Sequence, residues 1–269
     1  MSRRVNVERL KLRSLGTTRS VALVALVLVL AATVNALASI DLARPAPVLK
    51  GEGFRVHGQL APSGAAAVRA DAREALGAWA LAAFVAFSLG LLACATERQH
   101  RTLATSLLGV RRRRELLAAK VGAVVPYALA IAVAALVLDV VLAGSWLRQN
   151  DVSVGIGAGE WARIVLGGLA GTALAATGGV AIGVFVAAPA SGIVGGLAAI
   201  LIAEPVLATR SEALARWLPG HALDACFAGF ASFTTGKVLP QGAGVAVRAG
   251  WTLLAAALAV ASLDRRDVA

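Results

Sequence analysis

Cysteine, histidine and acidic side chains are scarce in this sequence, and each scarcity removes a class of function. The chain of 269 residues holds two cysteines, Cys94 and Cys226, and three histidines, His57, His100 and His221, all well separated. They supply neither a disulfide framework nor a Cys/His metal spacing. Charged residues make up 15% of the chain and aromatic residues 5%, too few charges for an ordinary water-soluble enzyme of this length. A phosphate-binding loop of the form Gly-x-x-x-x-Gly-Lys-Ser/Thr is missing too. The one Gly-Lys pair, Gly236-Lys237, has Ala231 at the first glycine position and Val238 after the lysine. Ser88, Ser145 and Ser191 have no histidine within an apolar run to activate them, which speaks against an intramembrane hydrolase.

Apolar residues are abundant, at 58% of the chain, and disorder is therefore excluded. The net charge of +11 does not mark a nucleic-acid binder, because the basic residues flank apolar runs and form no groove-reading motif. The bilayer is the expected solvent. About 20 residues of helix cross its hydrocarbon core of about 30 Å. Ser20 to Ile40 is a first uncharged run. It is longer than the apolar region of a secretory signal, so Ala36-Leu37-Ala38 is read as helix, not as a cleavage site. Ala75 to Thr96 is a second run. Val121 to Leu138 is a third, extendable through Asp139 to Trp146 if that carboxylate lies near an interface.

Ile164 to Ala203 carries no charge over 40 residues, which as one helix would be about 60 Å long. It is read as two spans broken near Pro189 to Gly192. Ala249 to Leu263 becomes a sixth span if it starts at Gly242 and Arg248 snorkels to the interface. The expected fold is thus all-α and integral to the membrane, as a single domain over 1–269 with six transmembrane helices.

Six spans leave both termini on one side. That side collects fifteen lysines and arginines, against eleven on the other, where the connections are longer. The positive-inside rule then places both termini in the cytoplasm of a bacterial plasma membrane. Residues 1–19 form a cytoplasmic prelude and 41–75 an external loop whose last part, Val68 to Leu76, continues as helix into span two. Residues 209–241 form a second external segment. Within it, Ala225 to Gly236, with Phe227, Phe230 and Phe233, is apolar but too short to cross, and either dips into the membrane or packs on the ends of its neighbours. Glu204-Pro205, at the end of span five, is read as interfacial.

The connection between spans two and three, 96–120, is the most informative segment. On a helix, Leu103, Leu107 and Val110 share one face, and Arg98, Arg101, Thr105 and Arg112 share the opposite one. Such a helix suits either an anionic lipid surface or a soluble protein partner. In span four, Gly167, Gly171, Ala175, Gly179 and Gly183 recur every four residues, a groove for close helix packing within the chain or across a dimer.

Several of these residues resemble those of the permease subunits of ABC-2 type transporters. The segment runs Glu97, Thr102, Leu103, Thr105, Leu107, Leu108, a basic run Arg111 to Arg114, then Leu116-Leu117-Ala118-Ala119-Lys120. Arg101 stands where that family usually has glycine and Arg111 where it often has proline. Glu8 to Ser14 with Thr18-Arg19-Ser20, Trp217-Leu218-Pro219-Gly220, and Asp264 to Val268 are similar to three further elements of the family. The resemblance implies that 97–114 is a coupling helix seated in a separate ATPase subunit, with Glu97, Arg98, Arg101, Thr102, Leu103, Thr105, Leu107, Leu108 and Arg112 as contacts. It implies that 1–19 contains an elbow helix at the membrane surface. It also implies a second permease half, with ATP and Mg held by the partner and no cofactor on this chain. The function implied is export of an amphiphilic small molecule, peptide or lipid. Two rivals remain: an ion- or proton-coupled secondary transporter using Asp139, and a non-transporting scaffold.

Overall fold

The computed structural model of the chain describes residues 5–8, 10, 16–40, 55–56, 59–60, 64–100, 102, 113–228, 230 and 238–265. Among them the architecture is helical apart from one two-rung antiparallel ribbon, β1 (Arg55–Val56) with β2 (Gln59–Leu60). Six helices are long and apolar enough to cross a membrane, which makes the chain a multi-pass membrane protein in architecture.

The first span lies in α1 (Gly16–Ala38). Helix α2 (Gly64–Ala75) leads through Leu76 and Gly77 into a 3-10 turn, Ala78–Ala80, and then α3 (Leu81–Gln99). Thus the expected continuation of 68–76 into span two is helical but broken at Gly77, where an added Cβ would run into the backbone of Phe230. The third span lies in α4 (Arg113–Gln149), 37 residues long and carrying Pro126 inside it. At about 55 Å this helix projects beyond the hydrocarbon. The fourth is α5 (Ala158–Gly183).

The break between spans four and five falls at 184–188, slightly earlier than the sequence suggests, because Pro189 begins the next helix instead of ending the last one. Span five is composite: α6 (Pro189–Ala198), a five-residue π turn Ala199–Ala203, and α7 (Glu204–Arg210). Two short helices follow, α8 (Glu212–Ala215) and α9 (Pro219–Cys226), before the sixth span, α10 (Gln241–Arg265).

Helices α3 and α5 form the centre, with α4 and α10 against α5 and with α1 against α4 and α3. The core is built from small side chains, chiefly alanine, so helix backbones approach closely. A Cβ on Gly90 of α3 would meet the Ala176 carbonyl of α5. In the other direction, a Cβ on Gly179 would meet the Phe87 carbonyl, and one on Gly183 would lie 2.6 Å from the Leu91 carbonyl. Gly167 and Gly171, one and two turns into the same stripe, face Cys226 instead, and Gly167 also faces Gln241. All four glycines of the repeat therefore meet atoms of their own chain.

Helix α9 runs antiparallel to the first two turns of α10. The Gln241 side-chain amide donates to the Cys226 carbonyl (2.9 Å) and the Arg163 carbonyl (2.7 Å), while Arg248 donates through Nη1 to the Pro219 carbonyl (3.2 Å). Seven residues separate each pair of positions, so the α9 N-terminus lies about 10 Å deeper in the bundle than its C-terminus. Pro219–Cys226 is thus an element that dips between its neighbours, while most of Ala225 to Gly236 lies outside the described residues. The phenylalanines serve to pack: Phe227 meets Trp79 edge-on at 4.8 Å, and Phe230 lies 6.4 Å from Trp161. Phe233 lies outside the described residues. Arg248, expected to snorkel, is 7% exposed and turned into the protein.

Candidate functional site

The most concentrated charge arrangement lies where α3 ends and α4 begins. Lys120, four residues beyond Leu116 in the first turns of α4, is 1% exposed. Its ammonium donates to Glu97 Oε1 at 2.9 Å, to Glu8 Oε2 at 3.2 Å and to the Ala93 carbonyl at 2.9 Å. An ammonium has three donors, and three acceptors surround it. Glu97 stands on the last turn of α3 and Glu8 on the helical stretch 5–8, so one side chain ties three elements together. Removing a member would leave charge buried without its counter-ion, which costs far more than the intact cluster gains.

The stretch 5–8 presents two faces. Val5 approaches Gly122 of α4 and Glu8 reaches Lys120, while Val7 and Leu10 are exposed. On the other side of α3, Arg98 donates through Nη1 to the Val184 carbonyl at 2.8 Å, where α5 ends. A cation on a helix's terminal carbonyl is favourable both as a hydrogen bond and against the helix dipole. The last turn of α3 is thus gripped from both sides, and the segment leaving it at His100 starts from a fixed base.

Of the residues expected to meet an ATPase, Glu97 and Arg98 are therefore engaged within the chain, on the final turn of α3 and not on a separate helix. Thr102 is exposed and its N–H and hydroxyl both donate to the Glu97 carbonyl, at 2.8 and 3.2 Å. Arg101, Leu103, Thr105, Leu107, Leu108 and Arg112 lie outside the described residues. The sequence held a clue to the cluster: Glu8 is the sole acidic residue before Asp41, and Glu97 the sole one between Glu74 and Glu115. Isolated acids in basic stretches mark sought-after counter-ions.

Two carboxylates expected near the ends of spans are enclosed by protein. Asp139 is fully buried. Its Oδ1 lies 2.7 Å from the Thr33 hydroxyl of α1, and its Oδ2 accepts the Trp79 N–H at 3.2 Å. Trp79 lies in the 3-10 turn that opens span two, and its N–H is one of the donors a helix start leaves without an intrahelical partner. Glu204 accepts the N–H groups of Gly220 (2.8 Å) and His221 (3.2 Å) at the start of α9, and lies 3.2 Å from His221 Nδ1. Both carboxylates therefore satisfy helix N-termini on a neighbouring element, where a negative charge also complements the dipole. Neither link was legible, because the partners are 60 and 16 to 17 residues away in sequence.

Between α1 and α2 a cavity of about 290 Å³ is lined by Asn35, Ser39, Asp71 and Glu74 over an apolar floor of Ala32, Ala36, Ala78 and Leu81. Among the described residues, no group of three or more His, Cys, Asp or Glu could hold a metal ion. No family model, curated protein or solved structure matches this chain.

Proposed function

We propose that the chain is the membrane-spanning subunit of an exporter driven by a separate ATP-binding-cassette subunit. In this reading a complex of two six-span halves moves an amphiphilic small molecule, peptide or lipid across the bacterial plasma membrane by alternating access. The observation that carries it is the Lys120 cluster. It binds the N-terminal stretch, the end of span two and the start of span three into one rigid block, immediately flanking the basic connection 100–112. A soluble motor pushing on that connection needs such a block, since a soft joint would dissipate the displacement before it reached the spans.

Three further features support the reading. The residues from Glu97 to Lys120 resemble the coupling region of ABC-2 type permeases. The end that carries the cluster is the one richer in lysine and arginine, which assigns it to the cytoplasm. Exposed Val7 and Leu10 suit an elbow helix at the membrane surface. ATP and Mg belong to the partner subunit, to which this chain contributes shape and not chemistry. An ion-coupled mechanism would rest on Asp139 or Glu204, and both carboxylates are engaged at helix N-termini.

The test is a double substitution, Leu107→Asp with Leu108→Asp, in cells that co-express an ATP-binding-cassette subunit with which the wild-type chain co-purifies. Loss of efflux and of ATPase co-purification is expected, with the permease still inserted in the membrane. Retention of both would remove the docking assignment.

A further inference from the structure

The cavity between α1 and α2 lies at the end of the bundle opposite the Lys120 cluster, and its lining changes character with depth. Asn35 and Ser39 stand where α1 ends, and Asp71 and Glu74 on the last turns of α2, so all four lie where the uncharged runs of spans one and two meet the membrane edge. Ala32, two turns before Ser39, is about 10 Å deeper. Small side chains make the space: Ala32, Ala36 and Ala78 are half-buried and line the floor. That floor is held in place, because the next residues along the chain, Thr33 and Trp79, are both tied to Asp139. Asn35, Ser39 and Glu74 are exposed, so the cavity is reached from outside the protein.

Charge on α2 is sorted about the helix axis. Asp71 and Glu74 face the cavity, whereas Arg73 turns away, toward Glu160 of α5 (3.9 Å) and the Phe230 ring (6.0 Å). Arg69, four residues before Arg73, shares its face of the helix. Among the described residues, no lysine, arginine or aromatic side chain lines the cavity. The Ser39 hydroxyl donates to the Ala36 carbonyl at 2.7 Å, which leaves its oxygen lone pairs to accept.

We propose that this cavity binds the primary ammonium head of a single-chain amphiphile, whose tail runs over the alanine floor into the hydrocarbon. A primary ammonium brings one charge and three donors, and the two carboxylates, the Asn35 amide oxygen and the Ser39 oxygen are the acceptors that meet them. A quaternary ammonium has no donor to offer and is held by aromatic faces, which the lining lacks. An anionic head is repelled by Asp71 and Glu74, and the phosphate of a phospholipid head would find no cation beside them. At about 290 Å³ the cavity takes the head and the first methylenes, and the rest of the chain lies among lipid. Such a site is independent of the energy source that drives the protein.

Binding of radiolabelled dodecylamine to the full chain in phosphatidylcholine nanodiscs is measured with empty discs subtracted. Unlabelled dodecylamine, dodecyltrimethylammonium, butylamine and phosphatidylethanolamine built into the disc serve as competitors. Saturable binding is expected, displaced by dodecylamine and not by the other three at the same concentration. Glu74→Gln and Asp71→Asn should each weaken it about tenfold, the worth of one charged hydrogen bond. Ala36→Leu, which fills the floor and keeps both carboxylates, should weaken it as well. Glu212→Gln, at an exposed carboxylate on α8, should change nothing. If Asp71→Asn does not fold, Glu74→Gln at its exposed position decides. Wild-type-like binding by Glu74→Gln, or an equal loss in Glu212→Gln, overturns the site. Equal competition by dodecyltrimethylammonium overturns the choice of a primary amine, by butylamine the need for a tail, and by phosphatidylethanolamine the assignment to a single-chain amphiphile.

Discussion

Lys120 Nζ lies 2.9 Å from Glu97 Oε1, joining the first turns of span three to the last turn of span two with both side chains largely out of solvent. Glu8 completes the cluster from 112 residues away. Lys120→Met should therefore lower stability by about 3 to 5 kcal/mol, the usual result of stranding buried charge. Thermal unfolding in detergent measures it. The double variant Glu97→Gln with Lys120→Met should lose less than the sum of the single losses, with a coupling of about 0.5 to 3 kcal/mol. Strict additivity would mean that the pair does not interact in the folded protein.

Arg98 predicts a different phenotype. Arg98→Ala removes the hydrogen bond to the Val184 carbonyl and leaves Lys120 with its three acceptors, so its cost in stability is at least about 1 kcal/mol. That bond joins the end of span two to the connection entering span five, so on the proposed exporter reading transport per ATP hydrolysed should fall more than ATPase activity does. Reconstituted vesicles measure both rates. An equal drop in the two would make the contact merely structural.

The glycines at the α3–α5 contact should tolerate nothing larger. Gly179→Ala places a methyl group against the Phe87 carbonyl, and a backbone clash of that kind should cost about 1 to 3 kcal/mol or prevent folding. Gly195→Ala in α6, with nothing within 4 Å of the new Cβ, should be neutral or stabilising by up to about 1 kcal/mol. Expression level and unfolding midpoint compare the two directly.

Asp139 separates structure from ion coupling. In Asp139→Asn the amide oxygen can keep the Trp79 N–H while the Thr33 hydroxyl turns to the Val29 carbonyl, 2.9 Å away, and accepts from the amide, so the loss should be only about 1 kcal/mol. Transport by the protein that remains folded should continue at the wild-type rate. A well-folded Asp139→Asn protein without transport would instead favour a proton-coupled mechanism.

How legible the architecture was depended on distance along the chain. The six spans follow from runs of apolar residues measured against the bilayer, and a local property of sequence suffices for that. Even the break before Pro189 is local, misplaced by a few residues because proline starts helices as readily as it stops them. The glycine repeat in span four announced close packing, but which helix fills it depends on folding: Gly179 and Gly183 meet α3, whereas Gly167 and Gly171 meet Cys226. Buried charges were the least legible. Asp139 and Glu204 looked interfacial because a carboxylate near a span end ordinarily is, and only the arrival of Trp79 and Gly220 N–H groups makes burial affordable. Lys120 was visible as part of a motif, while its partnership with Glu8 needed the fold.

In the proposed arrangement the end carrying the Lys120 cluster faces the cell interior and receives an ATPase there. Cys94 and Cys226 are buried, so a cysteine introduced at exposed His100 reports that end alone. With His100→Cys in sealed vesicles, a membrane-impermeant maleimide should label inside-out preparations and spare right-side-out ones, and the bound ATPase subunit should protect the thiol. Labelling of right-side-out vesicles, or labelling unchanged by the ATPase, would contradict the account.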